Sequence, residues 1–402
     1  MLLLVVEMQP SEHITDEGSH PVDNAMEETL FAEWCKSKRL LFFIIVLIVH
    51  CCVGGFSTLF NDFEIVPGIR FWGGDLEINY LGISFIPPLT TRLCIAVGFG
   101  YETAGYFRNP DNTLYCPPQS ASIINHALFT RLEGVWSLGL RQGILFDRRK
   151  EDNLLEAHFI YRGKYSDYLE EVSSEDALIF SSGLIDSSGI LQNSLVVGLF
   201  LNSVVEHDSH RKRNGIQADV SGEVAPEYLG NNIFGLADFS RFTVDIRGFV
   251  TVLDLDPENI IAYNTFNIYL GDRILLDYLC GGYIPLNARQ SVGGREANSS
   301  DGLGGVMRGV EKGRFDGYIK ILNNFDIRMN LPTLWFFVPS IVFYFDTGVS
   351  DNLDYTISVE NILFSTGAGF SFYGFGFDLI IYINYFINEG KISPSFDFSL
   401  CF

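Results

Sequence analysis

In the stretch LGGVMRGVEKGRFDG, Leu303 to Gly317, a single arginine, Arg308, stands among glycines. A guanidinium carries five donors in a planar fork, meets a carboxylate at two points and stays charged at any relevant pH. Downstream lie Asp326, Arg328 and Asp346. Glycine permits positive φ and close backbone approach, so such a segment can fold back onto a wall that carries carboxylates. The chemistry expected of this set is structural: Arg308 pairs with Asp346, with Asp326 as a second candidate partner, and latches the loop inside. The competing reading is an ordinary exposed loop charge.

The period of the flanking chain decides where these side chains point. Ile319, Ile321, Asn323, Phe325, Ile327, Met329 and Leu331 alternate with Lys320, Leu322, Asn324, Asp326, Arg328 and Asn330. Trp335, Phe337, Pro339, Ile341, Phe343 and Phe345 alternate with Phe336, Val338, Ser340, Val342, Tyr344 and Asp346. A period of two is that of a strand, and it sets Asp326, Arg328 and Asp346 on the polar side of two successive strands. Phe377, Leu379, Ile381, Ile383, Tyr385 and Ile387 form another apolar face, opposite Asp378, Tyr382 and Asn384. Arg241–Val252 and Ile216–Pro226 repeat the pattern.

These strands run about ten residues, the length a tilted membrane strand needs, and aromatic residues gather at the ends of their apolar face. A soluble sheet also alternates and is the alternative. At roughly 20 to 22 residues per strand and connection, residues 56–402 hold about 16 strands. The expected fold is therefore all-β, a transmembrane antiparallel barrel with an inward-folded extracellular loop. The final stretch SPSFDFSLCF places Phe396, Phe398, Leu400 and Phe402 on one face. Such a terminal aromatic strand resembles the signal by which outer-membrane barrels are recognised for assembly.

Composition agrees with one large β domain: 402 residues hold 35 Phe, 18 Tyr and 39 Gly with only 19% charged residues, too apolar for disorder and too rich in glycine and aromatics for a helix bundle. The net charge of −22 argues against a nucleic-acid partner. Cys94, Cys116, Cys280 and Cys401 are widely spaced and form no zinc pattern. Near the start, KSKRLLFFIIVLIVHCCVGG has a basic segment, a short apolar run and small residues, the layout of a secretory signal helix. The expected division is an acidic extension over 1–35, or a start placed too early with Met26 as initiator, then a signal over 36–55 and the barrel over 56–402. A lipid-attachment site at Cys51-Cys52 and a retained anchor helix are alternatives. Export followed by a barrel implies the outer membrane of a diderm bacterium, with its lipids as partners.

Other chemistry finds no support in the residue pattern. Gly304–Gly309 lacks the Lys-Ser/Thr of a phosphate loop, and Gly367-Ala368-Gly369 leads into a strand rather than a helix. His207-Asp208-Ser209-His210, beside Arg211, Lys212 and Arg213, reads as a solvated turn. His126 and His158 fall on separate strands with no nucleophile elbow. The acidic segment Ser173–Gly189 has the serine and glycine content of an exposed loop. No catalytic residue, cofactor or metal ligand is expected.

From Gly304 onward the order of motifs is itself informative. GGVMRG, GRFDG, NNFDIRMNLP, YFDTG and FSTGAGF follow one another, and this order resembles the BamA/TamA superfamily of outer-membrane assembly barrels, the bacterial surface antigen family. The family's Val/Ile-Arg-Gly-Phe/Tyr loop element is matched by Met307-Arg308-Gly309-Val310, its acidic-x-Arg strand by Asp326 and Arg328 before Leu331-Pro332, and its Phe-x-Asp-x-Gly element by Tyr344, Asp346 and Gly348. Met307, Val310 and Tyr344 depart from the family's usual residues. HDSHRKRNGIQADVSGEVAP, His207–Pro226, extends the likeness upstream, and residues 56–200 share only the strand pattern.

The resemblance implies a barrel with a loop folded into its lumen, acting in membrane insertion or translocation of polypeptide or lipid, with a polypeptide client or a separate periplasmic partner. Because about 55 residues precede the barrel, the expectation is a member lacking POTRA modules. The competing class is a passive porin-like channel or surface antigen whose acidic lumen favours cations.

Overall fold

The computed structural model describes residues 2–3, 63–70, 73–86, 88–106, 127–169, 189–207, 212–255, 266–293, 303, 305–310, 315–334, 337–351, 354–374 and 377–400. The chain divides into two units, 7–65 and the remainder, and the sheet described below lies in the latter. The expected signal helix, the 173–188 segment, residues 208–211, His126 and Phe402 fall outside the described residues.

Among the described residues, thirteen long strands follow in chain order: β1 Gly73–Ile86, β2 Leu89–Tyr106, β3 Ala127–Asp147, β4 Asp152–Leu169, β5 Ile190–Asn202, β6 Lys212–Ala225 and β7 Asp238–Asp254, then β8 Asn267–Tyr283, β9 Ile319–Asn330, β10 Val338–Ser350, β11 Leu363–Gly374, β12 Phe377–Phe386 and β13 Lys391–Leu400. Each pairs antiparallel with the next, a pure meander. The whole sheet counts 16 strands only when short pieces such as Leu2–Leu3 and Val205–His207 are included. The sheet runs past β1 to Phe63–Arg70 and past β13 to Leu2–Leu3, and among the described residues no ladder joins these two outer strands, so the sheet is continuous but its closure is not part of the observed pairing.

Strand length departs from the expected ten residues. β12 and β13 have 10, but β3 has 21 and β2 and β4 have 18 each. Residues beyond the 9 to 11 that cross an apolar layer are free to be polar. Polar residues at the strand ends blur the alternation there, and the sequence-based lengths were short for that reason.

The two faces of the sheet are inverted relative to a water-soluble one. Outward, Val197, Leu199, Phe242, Val250, Phe343, Ile381 and Ile383 are exposed, Ile383 by 64%. Inward, Lys320, Asn324, Asp326, Arg328, Asn330, Ser340 and Asp346 are all buried. Polar groups taken from water cost several kcal/mol unless paired, and exposed apolar area costs about 25 cal/mol per Å² in water. A sheet that accepts both is suited to hydrocarbon outside and a polar filling within. No helix among the described residues is long and apolar enough to cross a membrane.

The filling is the segment between β8 and β9. Asn287 donates to Ser166 on β4 at 2.9 Å, and Arg241 on β7 donates to the Ala288 carbonyl. Farther along, Gly309 abuts Asn384 on β12. One segment touching β4, β7 and β12 requires the sheet to curl around it. Two short pieces, Gln290–Ser291 and Asp316–Gly317, pair as a ribbon at its base, where Asp351 accepts the backbone N–H groups of Tyr318 and Ile319 at 2.8 and 3.0 Å.

Candidate functional site

Arg308 is buried, 7% exposed, at the tip of this inserted segment. Its Nε donates to Asp346 Oδ2 at 2.9 Å and its Nη2 to Asp346 Oδ1 at 2.6 Å, the two-point fork. The same Nη2 reaches Asp326 Oδ1 at 2.7 Å, and the Arg308 backbone N–H donates to Asp346 Oδ2 at 3.0 Å. Asp346 thus receives three contacts from one residue and Asp326 one, and both carboxylates are essentially inaccessible to water. Asn324 Nδ2 also donates to Asp346 Oδ1, at 2.9 Å. Burial pulls the Arg308 guanidinium down, but Asp326 and Asp346 outweigh it, so its pKa stands well above the ordinary value.

Two tyrosines close the site. The Arg308 Cζ lies 3.8 Å from the Tyr344 ring centroid and 5.7 Å from that of Tyr382, and the two rings meet edge to face at 5.7 Å. A desolvated cation over an aromatic face gains about 2 kcal/mol. Tyr344 Oη donates to Asn384 Oδ1 at 2.5 Å, and Asn384 Nδ2 to Ser395 Oγ at 2.9 Å, which fixes the ring from behind. Gly367 and Gly369 on β11 leave space for these rings: a Cβ at Gly367 would stand 2.7 Å from Tyr344 Cε1, and one at Gly369 would meet the Tyr382 ring. This Gly-x-Gly, in a strand rather than before a helix, lies directly against the two rings that cover Arg308.

The remaining residues of the predicted set have distinct places. Gly309 adopts φ 82°, the left-handed region, at the turn that follows Arg308. Gly348 makes room for the loop, since a Cβ there would lie 2.7 Å from Val292 Cγ1 and 2.8 Å from Met307 Sδ. Met307 and Val310, which depart from the family pattern, pack with Leu275, Val292, Leu322, Leu363 and Phe386 into an apolar cluster beside the ion pair. An unbranched thioether fits such an irregular gap. Arg328 is fully buried on the same strand face as Asp326, two residues on, and its Cζ is 5.9 Å from the ring of its ladder partner Tyr269 on β8. Phe396, Phe398 and Leu400 fall on β13, in register with Ile381, Leu379 and Phe377.

Sequence reading missed Tyr382, Asn384, Asn324, Ser365, Lys320 and Arg273. Parity already placed Asn324, Lys320, Tyr382 and Asn384 on the inward face. What it lacked was the strand register that brings them to one point.

No protein-family model matches the chain, and no curated protein matches it. Among solved structures, the chain is similar to BamA from Haemophilus ducreyi lacking POTRA domains 1–3, at 11% identity and TM-score 0.46, covering 82% of this chain and 62% of that one. It is similar to CdiB from Acinetobacter baumannii at 13% identity and TM-score 0.48, covering 82% and 50%. CdiB from Escherichia coli is similar at 10% identity and TM-score 0.48, covering 82% and 53%. The chain spans between 50% and 62% of the length of these solved chains.

Proposed function

We propose that the protein is an outer-membrane β-barrel whose lumen is occupied by residues 284–293, 303 and 305–310, held there by an Arg308–Asp346 latch, and that it aids membrane insertion or translocation of polypeptide. The observation that carries this reading is the buried fork of Arg308 on Asp346 and Asp326, inside a sheet with a polar interior and an apolar exterior. A desolvated three-way ion pair, roofed by two tyrosines, is far more than an open diffusion channel needs to hold a constriction in place. It suits a plug whose release is controlled. In this reading Phe396, Phe398, Leu400 and Phe402 mark the terminal strand for assembly, lipid surrounds the apolar face, and a polypeptide client or periplasmic partner meets the interior.

The test pairs depletion with conductance. On depletion, the amount of other folded outer-membrane barrels is expected to fall. In planar bilayers the purified protein is expected to show low, fluctuating conductance that rises in Asp346→Ala. A large steady conductance unchanged by that substitution, with other barrels unaffected by depletion, would establish the passive channel instead.

A further inference from the structure

Beside the Arg308 fork, the wall also holds this segment by its backbone. Arg273 Nη1 donates to the Leu303 carbonyl at 2.8 Å, Lys320 Nζ to that of Gly305 at 2.9 Å and Asn324 Nδ2 to that of Val306 at 3.0 Å. Ser365 Oγ donates to the carbonyl of Arg308. Four carbonyls in six residues are therefore taken by side chains of three different strands, and all four donors are buried.

These donors are placed by register. Arg273 on β8 is the ladder partner of Asn324 on β9, Asn324 of Asp346 on β10, and Asp346 of Ser365 on β11. One inward-facing polar row thus crosses four neighbouring strands at right angles to them, and the loop runs along it. Three interstrand steps of about 4.8 Å make roughly 14 Å, and the five residue steps from Leu303 to Arg308 reach at most about 17 Å when extended. Gly305, left-handed at φ 78°, shortens the chain from that limit toward the length of the row. Arg273 is braced from behind, its Nε and Nη2 each 2.9 Å from an Asp245 oxygen, which leaves Nη1 directed at the loop.

Donors aimed at main-chain carbonyls read what every polypeptide shares. From this, resting on the polypeptide-handling reading above, we infer that the row Arg273–Asn324–Asp346–Ser365, with Lys320, is a binding track for a polypeptide backbone, and that Leu303 and residues 305–308 occupy it as an intramolecular stand-in. A client segment enters when the loop leaves, and it is held by its carbonyls, with glycine favoured where Gly305 sits.

The test uses the full-length chain folded in detergent and two fluorescein-labelled nonapeptides, one with the order of residues 302–310 and one scrambled around a fixed glycine at position 305, both with alanine in place of the arginine so that the ion-pair fork does not contribute, read by anisotropy. The loop is displaced in two independent ways. Arg308→Ala removes its anchor. Gly305→Val places a Cβ against the Arg273 guanidinium at a backbone φ of 78° and leaves the wall untouched. Each displaced chain that keeps heat-resistant mobility on gels is expected to bind both peptides at least tenfold more tightly than the unsubstituted chain, whose tethered loop competes at high effective concentration. The two peptides should agree within about threefold. Adding Ser365→Ala, which removes one hydrogen bond, should weaken both about fivefold.

Absence of binding to both displaced, heat-resistant chains overturns the track, as does binding of the native order alone. Peptide binding that persists while depletion leaves other barrels unaffected supports the track and counts against the proposed function alone. Absent binding with a depletion effect overturns the track and leaves that function standing.

Discussion

Asp346→Ala should lower the stability of the folded protein by about 3 to 5 kcal/mol, because it removes three of the four contacts Arg308 makes to the two carboxylates, one from the backbone N–H and two from a guanidinium that is then stranded, 7% exposed. An exposed ion pair would contribute less than about 1 kcal/mol, and the burial of all three charges decides which figure applies. Asp326→Ala, which removes one contact, should cost less, about 1 to 3 kcal/mol. Arg308→Ala should approach the Asp346→Ala effect, since it leaves two buried carboxylates facing each other. In the double variant Arg308→Ala/Asp346→Ala the losses should fall short of the sum by more than about 1 kcal/mol, as expected of groups in one network. Urea unfolding of the protein in lipid vesicles measures all four. Strict additivity, or an Asp326→Ala effect larger than that of Asp346→Ala, contradicts the assignment.

Gly367→Val should have an effect of similar size with no charge removed. Its Cβ would stand against the Ile383 carbonyl, a backbone atom with little freedom to move, and 2.7 Å from Tyr344 Cε1. Overpacking of this kind costs about 1 to 3 kcal/mol. Displacing the Tyr344 ring also forfeits its cation–π contact with Arg308, a further loss of about 2 kcal/mol when desolvated. The expected readout is lowered heat resistance together with protease access to the 305–310 segment, both absent from Ala368→Val, the neighbouring residue on the exposed face. Equal behaviour of the two variants would show that the ring is not held from β11.

The period of two made much of this legible in the sequence. It placed Asp326 and Asp346 inward on adjacent strands, and the glycines around Arg308 indicated a segment able to reach them. The same parity put Arg328 inward, where it is buried with Tyr269 as its ladder partner. Period tells a side chain's face and says nothing of its register. The row from Arg273 to Ser365 is entirely a matter of register, drawn from residues up to 92 apart in the chain, so no local pattern announces it. Tyr382 was hidden for a related reason: its role depends on Gly369, its ladder partner on the neighbouring strand. Strand length escaped because the alternation fades where the strands leave the apolar layer.

The central claim is that the Arg308 segment sits inside the sheet, against β10. A cysteine pair tests it most directly: Met307→Cys with Gly348→Cys, with the native cysteines replaced by alanine. Met307 Sδ lies 2.8 Å from where a Cβ at Gly348 would be, so two sulfurs placed there come within disulfide reach. Mild oxidation of the folded protein should close the bond in most molecules, giving a mobility shift that a reducing agent reverses, and Asp346→Ala should lower the yield. Two free thiols, both open to a bulky maleimide in a chain that is otherwise folded, would place the loop outside and contradict the account.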